Sequence, residues 1–271
     1  MLAALLAAIA AAAVLALDVR LAVRQYTLPT GKLDAPVRIA LITDFHGCDY
    51  GAGQAELLDP LRQAGPDLVL LGGDIFDDVL PWDNTLELLD LLCADYPCYY
   101  VSGNHEFWSG RAEEMKDALR ARGVTVLEGG RVTVEVNGQA ISLSGIDDPD
   151  AGEACAGQLE AAAPAGEGFS LLLAHRPERI GDYLPYGYDL VLSGHAHGGQ
   201  WRIPGLLNGL WAPNVGLFPK YAGGLYAHGD TVHIVSRGLA RETTRIPRIF
   251  NRPELVLVDL VPDAHGAAAG G

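Results

Sequence analysis

The stretch DLVLLGGD, from Asp67 to Asp74, is aliphatic from Leu68 to Leu71 and then breaks into two glycines and an acid. A run without a wet face fits a strand covered on both sides, the habit of parallel sheets rather than of one-sided hairpins. Four other runs share the form: VRIALITD (Val37 to Asp44), YYVSGNH (Tyr99 to His105), FSLLLAH (Phe169 to His175) and YDLVLSGHAH (Tyr188 to His197). Helical stretches, Gln54 to Ala64 and Asn84 to Asp95, separate the first three, and Glu113 to Arg122 follows the third. Strand alternating with helix implies parallel crossovers. Beyond Gly123 the strands shorten to Val124 to Leu127, Arg131 to Val136 and Ala140 to Ser144, the last two joined by the hairpin pair Asn137-Gly138. Thr231 to Ser236 and Leu255 to Leu260 complete the set. The expected fold is α/β (α+β), two mixed β-sheets packed face to face with helices outside.

In such sheets ligands collect outside the carboxyl ends of the strands. Asp44 and His46 end the first unit, Asp74 the second, Asn104 and His105 the third, His175 the fourth, and His195 with His197 the fifth. Taken singly, an acid after a strand is a cap or turn residue and a histidine is a packed or surface group. Eight metal-capable side chains at five strand ends outweigh that reading. The glycines before Asp74, Asn104 and His195 are expected to let the backbone turn sharply into a site. Imidazole and carboxylate together suit borderline divalent ions such as manganese, zinc and iron. The donors are too many for one tetrahedral ion, whereas two ions roughly 3.5 to 4 Å apart, sharing a carboxylate, use them. No cysteine belongs to the set, which disfavours a structural zinc site.

Asp44-x-His46, Gly73-Asp74-x-x-Asp77, Gly103-Asn104-His105-Glu106, His175 and Gly194-His195-x-His197, in that order, resemble the calcineurin-like metallophosphoesterase family. The resemblance spans about Val37 to Leu260, and GHAHGGQWRIPG followed by APNVGLFPKYAGGLY is similar to a bacterial branch with an N-terminal membrane or export segment. It implies a four-layer sandwich and a hydrolase acting on phosphate esters or pyrophosphates, lipid-linked or nucleotide-sugar phosphates among them. It further implies that Asp44, His46, Asp74 and His197 hold one metal, and that Asp74, Asn104, His175 and His195 hold the other. His105 then faces the substrate as charge stabiliser or proton donor, oriented by Asp77. Water activated by the ion pair would attack phosphorus in line. The alternative is a non-catalytic metal-binding scaffold for a protein partner.

A net charge of −15 over 271 residues argues against general nucleic-acid binding. Locally, Arg237, Arg241, Arg245, Arg248 and Arg252 cluster near the C-terminus, reading equally as a solvated face or as a contact for an anionic substrate or membrane surface. Arg176 and Arg202 flank the ligand loops, reading equally as contacts for a second anionic group or as surface ion-pair formers, and Trp201, Trp211, Phe218 and Tyr221 share a loop rich in Pro and Gly, read as packed rather than stacking on a substrate. Ser102 and Ser193 read as strand-end residues. The four cysteines have no metal-binding spacing, and Cys93 with Cys98 are either a bridge or two buried thiols.

Leu2 to Leu17 is uninterruptedly apolar and spans roughly 24 Å as a helix, short of a ~30 Å hydrocarbon core. Residues 1–20 are therefore expected to be a membrane anchor or an export signal, with a buried helix as the bland reading. Arg20 and Arg24 favour a cytoplasmic domain if it is an anchor, and export stays open. The catalytic domain is expected over 35–262 and a disordered tail over 263–271.

Overall fold

A computed structural model of the chain describes residues 1–241 and 246–263. In chain order the strands are β1 (Ala22–Thr30), β2 (Val37–Ile42), β3 (Leu68–Gly72), β4 (Cys98–Val101), β5 (Thr125–Val126), β6 (Arg131–Val136), β7 (Gln139–Gly145), β8 (Ser170–Leu173), β9 (Leu190–Ser193), β10 (Trp211–Ala212), β11 (Gly216–Leu217), β12 (Gly224–His228), β13 (Thr231–Val235) and β14 (Glu254–Pro262). One six-stranded sheet has the order β1-β14-β2-β3-β4-β5 and the other β12-β13-β9-β8-β7-β6, with β10 and β11 forming a separate two-stranded ladder.

Both sheets are mixed. β2, β3, β4 and β5 run parallel, β14 is antiparallel to β2, and β7, β8, β9 and β13 run parallel. Helices α1 (Leu2–Ala16), α2 (Ala55–Ala64), α3 (Asp83–Asp95), α4 (Asn104–Trp108) and α5 (Ala112–Arg120) occupy the N-terminal half, with short α6 (Gln158–Ala161) and α7 (Ile180–Tyr183) later.

Successive side chains of a strand point to opposite faces, and that period of two builds the layers. On β2, Ile39 and Leu41 join Leu171, Leu173, Leu190 and Leu192 in the core between the sheets, while Ala40 and Ile42 pack with Leu57, Leu61 of α2 and Leu88, Leu92 of α3. On the far side, Leu172 and Val191 meet Ile180 and Tyr183. The result is helix, sheet, sheet, helix, as expected from the doubly apolar runs.

Two features differ from the expectation, and the bland reading of the N-terminal segment as a buried helix fails as well. The first sheet begins at β1, which pairs with β14 over its whole length and lies before position 35. Its half-exposed, Arg- and Thr-bearing pattern hid it, because only its pairing with the buried β14 makes it a strand. The loop after His197 contains the β10–β11 ladder and ends in β12, an edge strand of the second sheet. Finally, α1 does not behave as a buried helix, since Leu2, Leu5 and Leu6 are 71%, 58% and 57% exposed. Among the described residues no helix is long and apolar enough to cross a membrane. Phe250 N donates to Ala16 O, tying the end of α1 to the body. Arg245 and the expected tail beyond Asp263 lie outside the described residues.

Candidate metal centre

The eight donors leave the carboxyl ends of β2, β3, β4, β8 and β9 and converge. Asp44, His46, Asp74 and His197 form one group and Asp74, His175 and His195 a second, each with donor atoms within 4.8 Å of one another. Asp74 belongs to both. Its Oδ2 lies 3.7 Å from His46 Nε2 and 3.2 Å from His175 Nε2, and His197 Nε2 lies 3.6 Å from Asp44 Oδ1. Asn104 opens α4 beside them, fully buried, with its Oδ1 lacking any hydrogen-bond partner.

The other nitrogen of each key imidazole fixes which atom faces inward. His175 Nδ1 is 2.7 Å from Gly72 O, and a carbonyl only accepts, so Nδ1 carries the proton and Nε2 presents its lone pair. His46 Nδ1 donates to Asp77 Oδ2 at 3.2 Å with the same consequence. His46 Nε2, His175 Nε2, Asp44 Oδ2 and Asn104 Oδ1 are all buried without hydrogen-bond partners. Buried polar atoms are normally paired, and a ring of bare oxygen and nitrogen donors is the set a divalent cation satisfies. The residues present fit such an ion.

Electrostatics divide the histidines: against burial, hydrogen bonding to Asp77 and the charges of Asp74 and Asp44 raise His46, and Asp74 raises His175 to about 10, so these two carry a proton that a bound cation would displace. Burial alone would raise Asp74, yet His175 and His46 hold its carboxyl well below the usual range. Burial lowers His195 and His197 far below an ordinary imidazole, reinforced for His195 by His175 and Arg176 and for His197 by His46 and Arg248. Neutral imidazole is the ligand form.

Close backbone approach makes the convergence possible. A Cβ on Gly103 would stand 2.2 Å from Asp74 Oδ1 and 2.5 Å from Asp74 N. Gly103 is extended, at φ −109° and ψ −171°, so it is needed for space rather than for turning, contrary to the sequence expectation. Gly73, at φ 89°, does make the expected turn.

His105 stands at the rim, its ring 4.4 Å from that of His46 and 4.8 Å from that of Trp108. The family resemblance gives its orientation to Asp77, but two acids share that role in the structure. Asp77 holds His46, and Asp78 Oδ1 accepts from His105 Nδ1 at 2.7 Å, with Asp77 Oδ2 at 3.7 Å. Both adjacent carboxylates come within 3.7 Å of the same ring nitrogen, so spacing alone could not say which reaches it more closely.

Other supports carry no strong signal in the sequence. Glu106, fully buried, accepts backbone N–H groups of Asp74, Ile75, Phe76 and Gly103 at 3.0, 2.8, 3.1 and 2.8 Å, pinning the Asp74 loop to the start of α4. Burial, then the charge of Asp74, push Glu106 up to about 7 despite those bonds. Arg176 is buried rather than a surface ion-pair former. Its Nε and Nη2 clasp Asp148 at 2.5 and 2.9 Å while Nη1 reaches His195 Nε2 at 3.2 Å. Asn251 Nδ2 donates to His197 O at 2.7 Å. A Glu three residues after a helix-opening glycine and an acid pair after β7 are the only local hints of these contacts.

Ser102 donates to Asp147 Oδ1 at 2.6 Å and Ser193 Oγ lies 3.2 Å from His233 Nε2, both strand-end supports. The basic stretch is not one face: Arg241 pairs with Glu56, Arg252 with Asp18 and Arg237 with Glu254, while Arg248 is buried among backbone carbonyls. The expected packed aromatic loop is mostly open, with Trp201, Trp211 and Phe218 41%, 38% and 65% exposed, and only Tyr221 packing, against Tyr226. All four cysteines are free thiols.

A family model described as calcineurin-like phosphoesterase matches residues 37–199. The chain is 30% identical to phosphodiesterase YaeI of Escherichia coli over 236 residues, covering 84% of this chain and 83% of that protein. It is 29% identical to the uncharacterized metallophosphoesterase YkuE of Bacillus subtilis over 239 residues, covering 82% and 78%. The crystal structure of phosphopantetheinyl hydrolase from Mycobacterium tuberculosis has the same fold, with a TM-score of 0.50 and 12% identity over 88% of this chain and 100% of that one.

Proposed function

This chain belongs to the calcineurin-like phosphoesterase family and is a phosphoester hydrolase, and on that premise we propose that it cleaves its ester with two divalent ions. Asp44, His46, Asp74 and His197 would hold one ion, and Asp74, Asn104, His175 and His195 the other. The observation that carries this is Asp74, whose one carboxylate oxygen lies within 3.7 Å of two imidazole nitrogens whose ring partners are already donated elsewhere. Bound divalent ions would supply an acidified water near neutral pH and shield the phosphoryl oxygens.

The chain's own residues do the rest. His46 and His175 are held by Nδ1 on Asp77 and Gly72 O, so their rings need no reorientation on binding. Asp78 holds His105 by Nδ1 and leaves Nε2 free for the substrate. An imidazolium so held gives its Nε2 proton to the leaving oxygen. Arg176 braces His195 from behind through the Asp148 clasp.

A diester is the favoured substrate, supported by the similarity to the phosphodiesterase YaeI. The exposed Trp211 and Phe218 lie on the loop whose Asn214 Nδ2 comes within 3.5 Å of His195 Nε2, which supports an ester carrying an apolar or planar group, of the lipid or nucleotide-sugar kind. The apolar, exposed α1 supports association with a membrane surface, with the domain on the cytoplasmic side.

The test is hydrolysis of bis-p-nitrophenyl phosphate by purified protein loaded with manganese, together with elemental analysis. Turnover that needs metal and collapses in His105→Ala with the metal still bound is expected. Failure to bind any divalent ion, with no hydrolysis of mono-, di- or pyrophosphate esters, would sink the proposal.

A further inference from the structure

Away from the eight donors, three arginines from distant parts of the chain gather around one acid. Glu254, at the start of β14, is fully buried. Arg237, just past β13, places Nε 3.1 Å from Glu254 Oε2 and donates its backbone N–H to Oε1 at 3.0 Å. Arg24 of β1 places Nε 3.8 Å from the same Oε2. Arg202 is the third. Its Nη2 donates to Asn208 Oδ1, while its Nη1 is buried with no partner at all.

Arg24 and Arg237 thus share a single carboxylate, Arg202 lies beside Arg237 at Gly223, and among the described residues no second carboxylate forms an ion pair with any of the three. The repulsion is felt: burial first, then Arg237 and Arg24, push Arg202 down to about 10, with Glu254 opposing. In a chain of net charge −15 this excess of cations is not a consequence of composition. Packing cations together with an N–H left bare is costly unless an anion completes the group. Gly223 lets the two arginines pack side by side against its backbone: a Cβ there would lie 2.8 Å from Arg237 Cγ and 3.4 Å from Arg202 Nη1. Arg24 is half-exposed, which gives solvent access. Forked guanidinium donors match the tetrahedral oxygens of phosphate.

We propose that Arg24, Arg202 and Arg237 form a binding site for a phosphate-type oxyanion. It adjoins the metal-centre loops, since Arg202 follows His197 by five positions and Gly238, next to Arg237, packs on the Cβ of Asp44. Two sources share this chemistry, a free phosphate and a lipid headgroup. The headgroup arm is worth testing because Arg252 Nη2 donates to Leu21 O just after the apolar α1, on the approach to Arg24.

The full chain, stripped of metal so that the donor cluster cannot capture the anion, is titrated calorimetrically with inorganic phosphate. It is also sedimented with phosphatidylcholine vesicles with and without phosphatidic acid. Saturable phosphate binding that weakens roughly tenfold in Arg24→Gln and in Arg202→Gln, the worth of one charge-assisted contact, but not in Arg62→Gln, is expected. Sedimentation that needs phosphatidic acid and is lost in the same variants identifies the headgroup as source; phosphate binding without sedimentation identifies the free anion. Arg24→Gln changes a half-exposed strand residue and keeps the test decisive should Arg202→Gln not fold. No binding of either probe by the parent protein, or binding indifferent to both substitutions, overturns the proposal. The readout involves no turnover, so it is independent of the hydrolytic reading.

Discussion

The two ends of the strands use the same backbone conformation for opposite reasons. At the carboxyl ends, Asp44, His46, Asp74, His195 and His197 sit in the left-handed region at φ 51°, 49°, 52°, 65° and 45°. At the other pole, the β6–β7 hairpin turns through Asn137 and Gly138 at φ 52° and 78°. Asn-Gly adopts that turn at almost no cost and in solvent, Asn137 Nδ2 donating to Pro36 O at 2.8 Å and nothing lying within 4 Å of a Cβ on Gly138. At the metal centre each left-handed residue costs about 1 kcal/mol or more and is held by buried bonds. Asp44 N donates to Gly73 O at 3.0 Å, His46 N to Asp74 O at 3.1 Å and His195 N to Asp44 Oδ1 at 2.9 Å. Left-handed backbone marks function where tertiary bonds enforce it, and only a turn where residue type suffices.

That contrast can be broken from either end. The largest effect is expected from Asp74→Asn, which removes the carboxylate common to both donor groups while keeping its size. A loss of ~10³-fold in kcat/KM, about 4 kcal/mol, with metal content reduced and circular dichroism unchanged, is expected; near-normal kinetics would remove Asp74 from the centre. Gly103→Ala comes next, because its methyl group meets Asp74 backbone and carboxylate and something must shift. Activity should fall by ~10²-fold, about 3 kcal/mol, whereas full activity would show the approach to be slack.

Glu106→Gln keeps the shape but turns one acceptor into a donor facing two N–H groups. Denaturant unfolding should show a loss of about 2 kcal/mol, and an unchanged midpoint would mean that the Asp74 loop does not depend on this side chain. Gly138→Ala should be smallest: nothing lies near its Cβ, so the left-handed backbone alone opposes it. It should cost about 1 kcal/mol of stability with hydrolysis unaltered. Equal damage to activity at Gly138 and Gly103 would erase the distinction between the poles.

Much of this is legible in the chain itself. Doubly apolar runs ending in Asp, Asn or His identify the buried strands, and the placement of donors at their carboxyl ends follows from the parallel arrangement. β1 is not legible, because an edge strand with half-exposed polar residues carries no pattern of its own and becomes a strand only by pairing with β14. Glu106 stands in view beside Asn104 and His105, but its four backbone partners come mostly from a loop some thirty positions away.

Local chemistry and period determined which side chains could serve as ligands and which faces of the strands are covered, since both depend on residue type and short spacing. Tertiary structure alone decided that Asp78 comes closer than Asp77 to His105, that Arg176 is buried against His195, and that Arg24 and Arg237 share one acid with Arg202 beside them. Those pairings join segments far apart in the chain or choose between adjacent residues, and only the packed geometry makes that choice.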